Sequence, residues 1–516
     1  MAVDWYTTGA LVVLAAWLLW KYLSWNYGYW QRLGVPCIEP SVPFGNFKDL
    51  FLGNKSPLES FEEIHRRFDG EPFCGVYRLR QAALFVRDAE LLRQMMISDF
   101  ASFHDNNNYV NEDQDPIFAR NPFFVKGTRW KKSRSRLTPS FTASRMKPMF
   151  VLMKEVCDTL VRVLEQEGPE AMPDGLEAWR LCMRYTTDVV SSCALGVTGR
   201  TLEDKDSVLA DMCRRLLAPT FMTNLKIAVA FTSPTLADVL RIRIMPLDVH
   251  NFVYKWVTET VAQREQGNVQ RKDYLQLLVE LKARGYLDTE GQGPVEKSTF
   301  TDMDVVAQVV TFMLDGTHTT ATAMSFALYE LALHPDIQHR LRENLREAVD
   351  KHGGQLGYDS INECTYLDMV LSEVLRLHPP IGHLEKKCTA AYPMTTASGR
   401  AFTVQPGTAV VFSIAGIHRD PRYFRNPDVF DPERFSPDNK DPTSMVAYMP
   451  FGLGARTCLG QRFALSQVKM GVACLVLNFR VCTTPRTPMP LEVDPNSFAK
   501  AAKGGMWLGF QPLVHL

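Results

Sequence analysis

Along the chain the spacing of apolar and polar positions changes character twice. The first run, WYTTGALVVLAAWLLW, covers Trp5 to Trp20 without a charged side chain and ends at Lys21. As a helix it rises about 24 Å, slightly less than a ~30 Å hydrocarbon core. Lys21 can snorkel, and Trp20, Tyr22, Trp25, Tyr27, Tyr29 and Trp30 form an aromatic series suited to the membrane interface. Bulky Trp17 and Trp20 stand where a signal-peptide cleavage site needs small residues. The pattern therefore predicts a membrane anchor over residues 1–30. Asp4 lies before the run and Lys21 and Arg32 after it, which directs the bulk of the chain to the cytosol. Pro36, Pro40 and Pro43 follow in PCIEPSVPFGN; they cannot continue a helix and predict a stiff linker over 31–46.

From residue 47 onward a helical period dominates. LESFEEIHRRF, VLMKEVCDTLVRVLEQ, DVVAQVVTFML with its continuation TATAMSFALYELALH, and YLDMVLSEVLRLH all place apolar residues on one helical face. Short strand-like pieces occur early, at CGVYRL and AALFVR, and late, at GTAVVFSI and FRVCTT. No Gly/Ser-rich linker divides the remainder, so residues 47–516 are expected to form one mainly α domain with small β-sheets. The composition, 46% hydrophobic and 22% charged over 516 residues, allows a large core. A formal net charge of zero argues against nucleic acid as the main partner. The 11 cysteines are odd in number and contain no C-x-x-C pair, which argues against a disulfide framework and for a reducing compartment.

The chemistry concentrates in PFGLGARTCLGQRFALSQVK. Gly452, Gly454 and Gly460 bracket Cys458 in a loop that runs into an amphipathic helix. Glycines permit positive φ and close backbone approach, and a helix N-terminus offers unpaired N–H groups. A cysteine there is expected to have a depressed pKa and to be held as thiolate. Such a thiolate is a nucleophile or a metal ligand. A nucleophile needs a nearby base, and no histidine motif supplies one. A metal site with one protein sulfur needs its other ligands from a cofactor, and haem provides four nitrogens.

Phe451-Gly452-x-Gly454-x-Arg456-x-Cys458-x-Gly460 resembles the haem-binding signature of the cytochrome P450 monooxygenases. The resemblance extends over essentially the whole chain. It is nearest to microsomal members of the arthropod xenobiotic-metabolising group, on FASFHDNNN, FFVKGTRWKKSRSRLTPSFTASRMKPMF and TAMSFALYELALHPDIQ. It implies the cytochrome P450 fold, a triangular helical prism, preceded by an N-terminal transmembrane helix. It also implies haem b (iron protoporphyrin IX), with Cys458 as axial thiolate and metal ligand, a donor that favours O–O cleavage. By the same resemblance Phe451 packs beside Cys458, and Arg456 pairs with a propionate. Trp130 and Arg134, at W-x-x-x-R spacing in RWKKSRSRL, are implied propionate binders. In LEKKC the family often has a propionate-binding arginine; here the position is Lys386, a point charge rather than a fork. Glu373 and Arg376 in LSEVLRLHPP share a helix face and match the E-x-x-R pair. Arg434 in DPERF would be the third member, and the trio's role would be to fix the loop that presents Cys458.

The oxygen-activating helix of the family reads small-Gly-x-acid-Thr-Thr/Ser, whereas this chain has Asp315-Gly316-Thr317-His318-Thr319-Thr320. Gly316 and Thr319 match; the resemblance gives the glycine the task of relaxing the helix so that water enters, and the threonine that of steadying dioxygen and relaying protons. Asp315 replaces a small residue and His318 replaces the acid. Two readings stay open. Either His318 acts as the relay, near neutrality in pKa, with Asp315 its partner or reaching a polar substrate; or the relay is impaired.

The activity implied is insertion of one oxygen atom from O2 into a lipophilic xenobiotic or an endogenous hormone or lipid. Electrons would come from NADPH–cytochrome P450 reductase, with cytochrome b5 as a further donor, since no G-x-G-x-x-G fingerprint is present. Lys131 and Lys132 would offer the reductase a basic face. The setting implied is the endoplasmic reticulum membrane, with the catalytic domain in the cytosol. Pocket lining is expected from Asn106 to Phe118, Leu217 to Leu225, Val310 to Thr319, Ile381 to Leu384 and Gly504 to Trp507, and LKIAVAFTSPTLADVL reads either as a run that dips into the membrane surface or as an ordinary buried helix and loop. The altered Asp315 and His318 motivate the rival readings: a haem-thiolate isomerase or dehydratase acting on peroxides, or a haem-bearing binding protein without turnover.

Overall fold

The structure, a computed structural model, describes residues 5–513 apart from 168–173, 205, 218–221, 223–225, 228, 231–233, 268–270, 272, 286–299 and 498. The N-terminal apolar run forms the helix Trp5–Ser24, none of whose residues is buried. It is the one described helix long and apolar enough to cross a membrane, with a mean hydropathy of 1.3. The body of the protein begins earlier than the expected boundary at residue 30. Trp30 is fully buried; its backbone N–H donates to the Tyr77 hydroxyl at 3.1 Å and its indole N–H to the Val76 carbonyl at 3.2 Å. Its ring fills the space that a side chain at Gly75 would need, with a Cβ there falling 2.2 Å from Trp30 Cγ. Trp30 is therefore a core residue rather than a member of an interfacial belt. The Pro-rich stretch is also more than a spacer: Cys37 bridges Gly75 and Gly45 bridges Arg78, so it runs docked along the first strand.

The periodic runs become the helices Pro57–Arg67, Ala143–Glu167, Asp302–Leu333 and Thr365–Leu377. The alternating pieces become the strands Phe73–Arg78, Gln81–Val86, Ala409–Ser413 and Phe479–Thr483. A five-stranded sheet has the order Phe73–Arg78, Gln81–Val86, Ala409–Ser413, His383–Lys387, Asp105–Asn106. Its last pairing sets Asp105 opposite Lys387 and Asn106 opposite Lys386, and so carries two expected site segments to one edge. The sheet packs on its own apolar cluster, which includes Trp30, Phe103, Val410 and Phe412. A larger cluster joins the helices, with the central helix Asp302–Leu333 running through it.

That central helix is 32 residues long, about 48 Å at 1.5 Å per residue. It starts with a capping box: the Thr301 hydroxyl accepts from Asp304 N–H at 3.3 Å, and the Asp304 carboxylate accepts from Thr301 N–H at 2.8 Å. The cysteine loop feeds the helix Gln461–Asn478, which lies against the central helix in the same core. All ten described cysteines are free, as a reducing compartment leads one to expect.

Candidate functional site

Gly452 (φ +78°) and Gly454 (φ +67°) hold the left-handed conformations that turn the cysteine loop. A Cβ at Gly454 would lie 2.2 Å from the Met96 carbonyl oxygen, so the backbone there is pressed against a neighbouring turn. Gly460 is different. Its φ is −86° and a Cβ there would meet nothing within 4 Å; it caps the helix Gln461–Asn478 and aims its N–H at the Cys458 sulfur. The loop closes on itself through Cys458 N–H donating to the Phe451 carbonyl at 2.9 Å and Thr457 N–H donating to the Gly454 carbonyl at 3.0 Å. Phe451 thus stands beside the cysteine, packed partly into the large core.

Beneath the loop the E-x-x-R trio is assembled. Glu373 and Arg376 are both fully buried, joined by Arg376 Nε to Glu373 Oε2 at 2.7 Å and Nη2 to Oε1 at 2.8 Å. Arg434 Nε donates to Glu373 Oε1 at 3.1 Å, as does Asp431 N–H at 2.9 Å. Arg376 also donates to the carbonyls of His418, Pro427 and Val429. From there the Tyr448 hydroxyl reaches the Ser372 carbonyl at 3.1 Å, and Met449 N–H donates to His418 Nε2 at 2.9 Å. Tyr448 and Met449 immediately precede the cysteine loop, so the buried ion pair is tied to it within a few bonds.

Around the loop stands a set of cations with few anions. Arg456 donates to the carbonyls of His104, Pro122 and Val125 at 2.8, 2.9 and 3.0 Å and to Asp105 Oδ1 at 3.3 Å. These bonds use four of the five guanidinium N–H groups. Its plane lies 3.9 Å over the Trp130 ring. Arg134 Nη1 donates to the Thr457 carbonyl at 2.8 Å, which brings both residues of the W-x-x-x-R pair onto the cysteine loop. Lys386 is buried, donates to Asn106 Oδ1 at 2.7 Å, and has its pKa lowered to about 7 by burial and by the charge on Arg456. Burial also lowers Arg456 to about 10 and depresses Arg134. Asp105 is the carboxylate in pairing contact with this cluster.

On the central helix, the Thr319 hydroxyl donates back to the Asp315 carbonyl at 2.6 Å. Asp315 receives a long bond of 3.4 Å from Asn121 Nδ2, and burial raises its pKa to about 6. His318 stands edge-on to Trp179 with centroids 5.3 Å apart, and burial lowers it to about 4. Two expectations are corrected here. His318 is not poised near neutrality, because its ring sits in an apolar contact that disfavours the cation. Nor is Asp315 its partner among the described residues: the histidine turns to Trp179 and the carboxylate to Asn121. Gly316 lies against the neighbouring helix, where a Cβ would come 3.3 Å from Val190.

Cys458 and Asp315 each retain accessible surface, yet burial dominates the ionisation of both. The two facts agree if that surface faces an enclosed space inside the protein. The Asp315 charge is felt at Cys458, so the cysteine loop and this turn of the central helix lie near enough to interact. The expected low thiol pKa is not found: burial, with Asp315 adding to it, pushes the thiol up to about 11 and outweighs the Gly460 N–H and Arg134. A bound metal reverses this, because a coordinating thiol is deprotonated outright.

The donor set fits haem. Among the described residues no three His, Cys, Asp or Glu side chains gather to hold a metal, so Cys458 offers iron one protein ligand and leaves the rest to a macrocycle. The under-neutralised Lys386, Arg456 and Arg134 fit two propionate groups. The residues that sequence reasoning missed are Asp105, Asn121 and Trp179, which orient Arg456, Asp315 and His318. Asn106 was expected as pocket lining and accepts from Lys386; the polar run in FASFHDNNN was the available signal for Asp105, and Asn121 and Trp179 had none. Of the expected pocket segments, Leu217 to Leu225 lies almost wholly outside the described residues, as do parts of LKIAVAFTSPTLADVL.

Comparison with known proteins gives matches over nearly the whole chain. The family model described as Cytochrome P450 matches residues 36–508. The chain is 35% identical to Cytochrome P450 6a2 of Drosophila melanogaster, over 96% of this chain and 98% of that protein. It is 34% identical to Probable cytochrome P450 6g2 of the same fly, over 94% and 95% of the two chains. Against Cytochrome P450 6j1 of Blattella germanica the identity is 33%, over 95% and 94%.

Proposed function

The chain belongs to the cytochrome P450 family, and from that premise we propose how this haem monooxygenase is held, supplied and charged with substrate. Cys458 would hold the iron of haem b through its sulfur, and Trp130, Arg134, Arg456 and Lys386 would hold the propionates. The observation that carries the reading is Cys458 itself, set in the glycine loop before the helix Gln461–Asn478, with the Gly460 N–H on its sulfur and the Asp315 charge acting on it. When bound, the haem supplies the oxygen chemistry. The chain's own residues do the rest. Gly460 N–H and the helix N-terminus behind it stabilise negative charge on sulfur. The Glu373–Arg376–Arg434 trio holds the loop in register. Thr319 Oγ1 carries a proton at the cavity wall, now spent on the Asp315 carbonyl, and a rotation about χ1 presents it to the cavity. His318, packed on Trp179 with burial lowering its pKa to about 4, takes up no charge in the neutral range.

The redox partner is NADPH–cytochrome P450 reductase, with cytochrome b5 as a second donor, and Lys131 and Lys132, both exposed, belong to its docking face. The helix Trp5–Ser24 anchors the enzyme in the endoplasmic reticulum with the body in the cytosol. Exposed Leu236, Val239, Leu240 and Leu247 add a second apolar surface through which a lipophilic xenobiotic, hormone or lipid reaches the cavity from the bilayer. The test is reconstitution with the reductase in lipid vesicles under 18O2. Product carrying one labelled atom, NADPH-dependent and lost in Cys458→Ser, is expected. Product formed without O2, by isomerisation or dehydration of a peroxide, would contradict it.

A further inference from the structure

The Asp315 carboxylate stands in the cavity wall without a countercharge. Its described hydrogen-bond partner is Asn121 Nδ2 at 3.4 Å, one weak donor for an anion with about four acceptor sites. The cations on the surrounding elements are committed elsewhere. Arg120, one residue from Asn121, bonds Glu112, Thr301 and Asp304. Arg456 is held by Asp105 and three carbonyls, Arg134 by Thr457, and Lys386 by Asn106. No ion pair to Asp315 forms among the described residues, and His318, three residues on, faces Trp179. Leu384 lies near Gly452 on the cysteine-loop side, an apolar neighbour for the body of a ligand.

We propose that the cavity binds lipophilic cations: substrates with an aliphatic ammonium group that pairs with the Asp315 carboxylate and an apolar body that fills the rest. The proposal rests on the monooxygenase reading of the same site and names its substrate class. A carboxylate in an enclosed apolar space selects in both directions. It strengthens the binding of a cation through a desolvated charge pair, and it weakens the binding of a neutral ligand that covers the ion without pairing it. A bound cation also holds the carboxylate ionised against the burial that favours its proton.

The test is equilibrium dialysis of the holoprotein with a phenylalkyl trimethylammonium ion and its uncharged tert-butyl isostere. Neither can ligate iron through nitrogen, so both report on the pocket. In the parent the cation is expected to bind about ten-fold tighter or more. In Asp315→Asn the ratio should fall to near one, with the affinity for the isostere unchanged or improved, and Asp315→Glu should keep the preference. Equal affinities in the parent overturn the proposal without any variant, as does a preference that survives Asp315→Asn. A holoprotein that lacks thiolate ligation fails the monooxygenase reading instead, and its spectrum, recorded on the same sample, tells the two failures apart.

Discussion

Lys500 shows how far burial sets the chemistry of single residues in this protein. Its ammonium donates to His378 Nδ1 at 2.9 Å and to the Leu377 carbonyl at 3.1 Å, and His378 Nε2 lies 2.6 Å from Glu330 Oε1. Burial lowers the lysine to about 7, with Arg419 lowering it further and Glu62, Glu330 and Glu59 opposing. Between about 7 and the ordinary lysine value the unfolded chain keeps this proton while the folded protein does not, so raising the pH favours the fold. Lys500→Met removes that slope. The melting-temperature difference, parent minus variant, is expected to rise from pH 7 to pH 10; a flat difference would show that the lysine stays charged. His318 gives a second residue-scale expectation. Because it is neutral down to about pH 4 and serves Trp179 as an aromatic neighbour, His318→Phe should leave product formed per NADPH within about two-fold of the parent, from pH 6 to pH 8. A collapse of coupling into peroxide would return the histidine to the proton path. Cys458 carries the same lesson, since its loop geometry suggested a thiolate and its burial makes it a thiol until metal arrives.

Among the elements, the helix Thr365–Leu377 and the cysteine loop depend on one buried carboxylate. Glu373→Ala would leave Arg376, fully buried, and Arg434 without their anion. A loss of about 3–5 kcal/mol is expected, read as less haem per chain and a lower melting temperature. Within the loop, Gly454→Ala should block the fold at the Met96 carbonyl, whereas Gly460→Ala should fold, because its backbone is ordinary and the protein leaves it space. Haem content of the two variants checks the contrast. The long helices and the principal strands were legible in the sequence because each carries many periodic positions, and the cysteine loop because its glycines and cysteine are fixed in spacing. The segment from His104 to Val125 was not. It has little regular structure, and its work is done by backbone carbonyls that receive Arg456, which no residue type announces. The pairing of Asp105–Asn106 with Lys386–Lys387 is likewise a contact across some 280 positions, outside the reach of local pattern.

Across the whole molecule, the boundary between the exposed apolar helix, proposed as the anchor, and the packed body falls between Ser24 and Trp30. A chain lacking residues 1–24 should keep its haem and lose most of its membrane affinity, measured by vesicle flotation. Removing residues 1–34 also removes Trp30 from the core, and about 3–5 kcal/mol of stability with it. Comparable melting temperatures for the two truncations would contradict that boundary. The Pro-rich stretch docks along the first strand, and the central helix packs against the helix that the cysteine loop feeds. The proposed function depends on a bond between Cys458 and iron, and the absorption spectrum of the reduced protein under carbon monoxide reads that bond directly. A Soret band of the thiolate-ligated type in the parent, absent in Cys458→Ser, is the expected result. A band of the histidine or neutral-thiol type in the parent, or a thiolate band that persists in Cys458→Ser, would place the iron on another ligand.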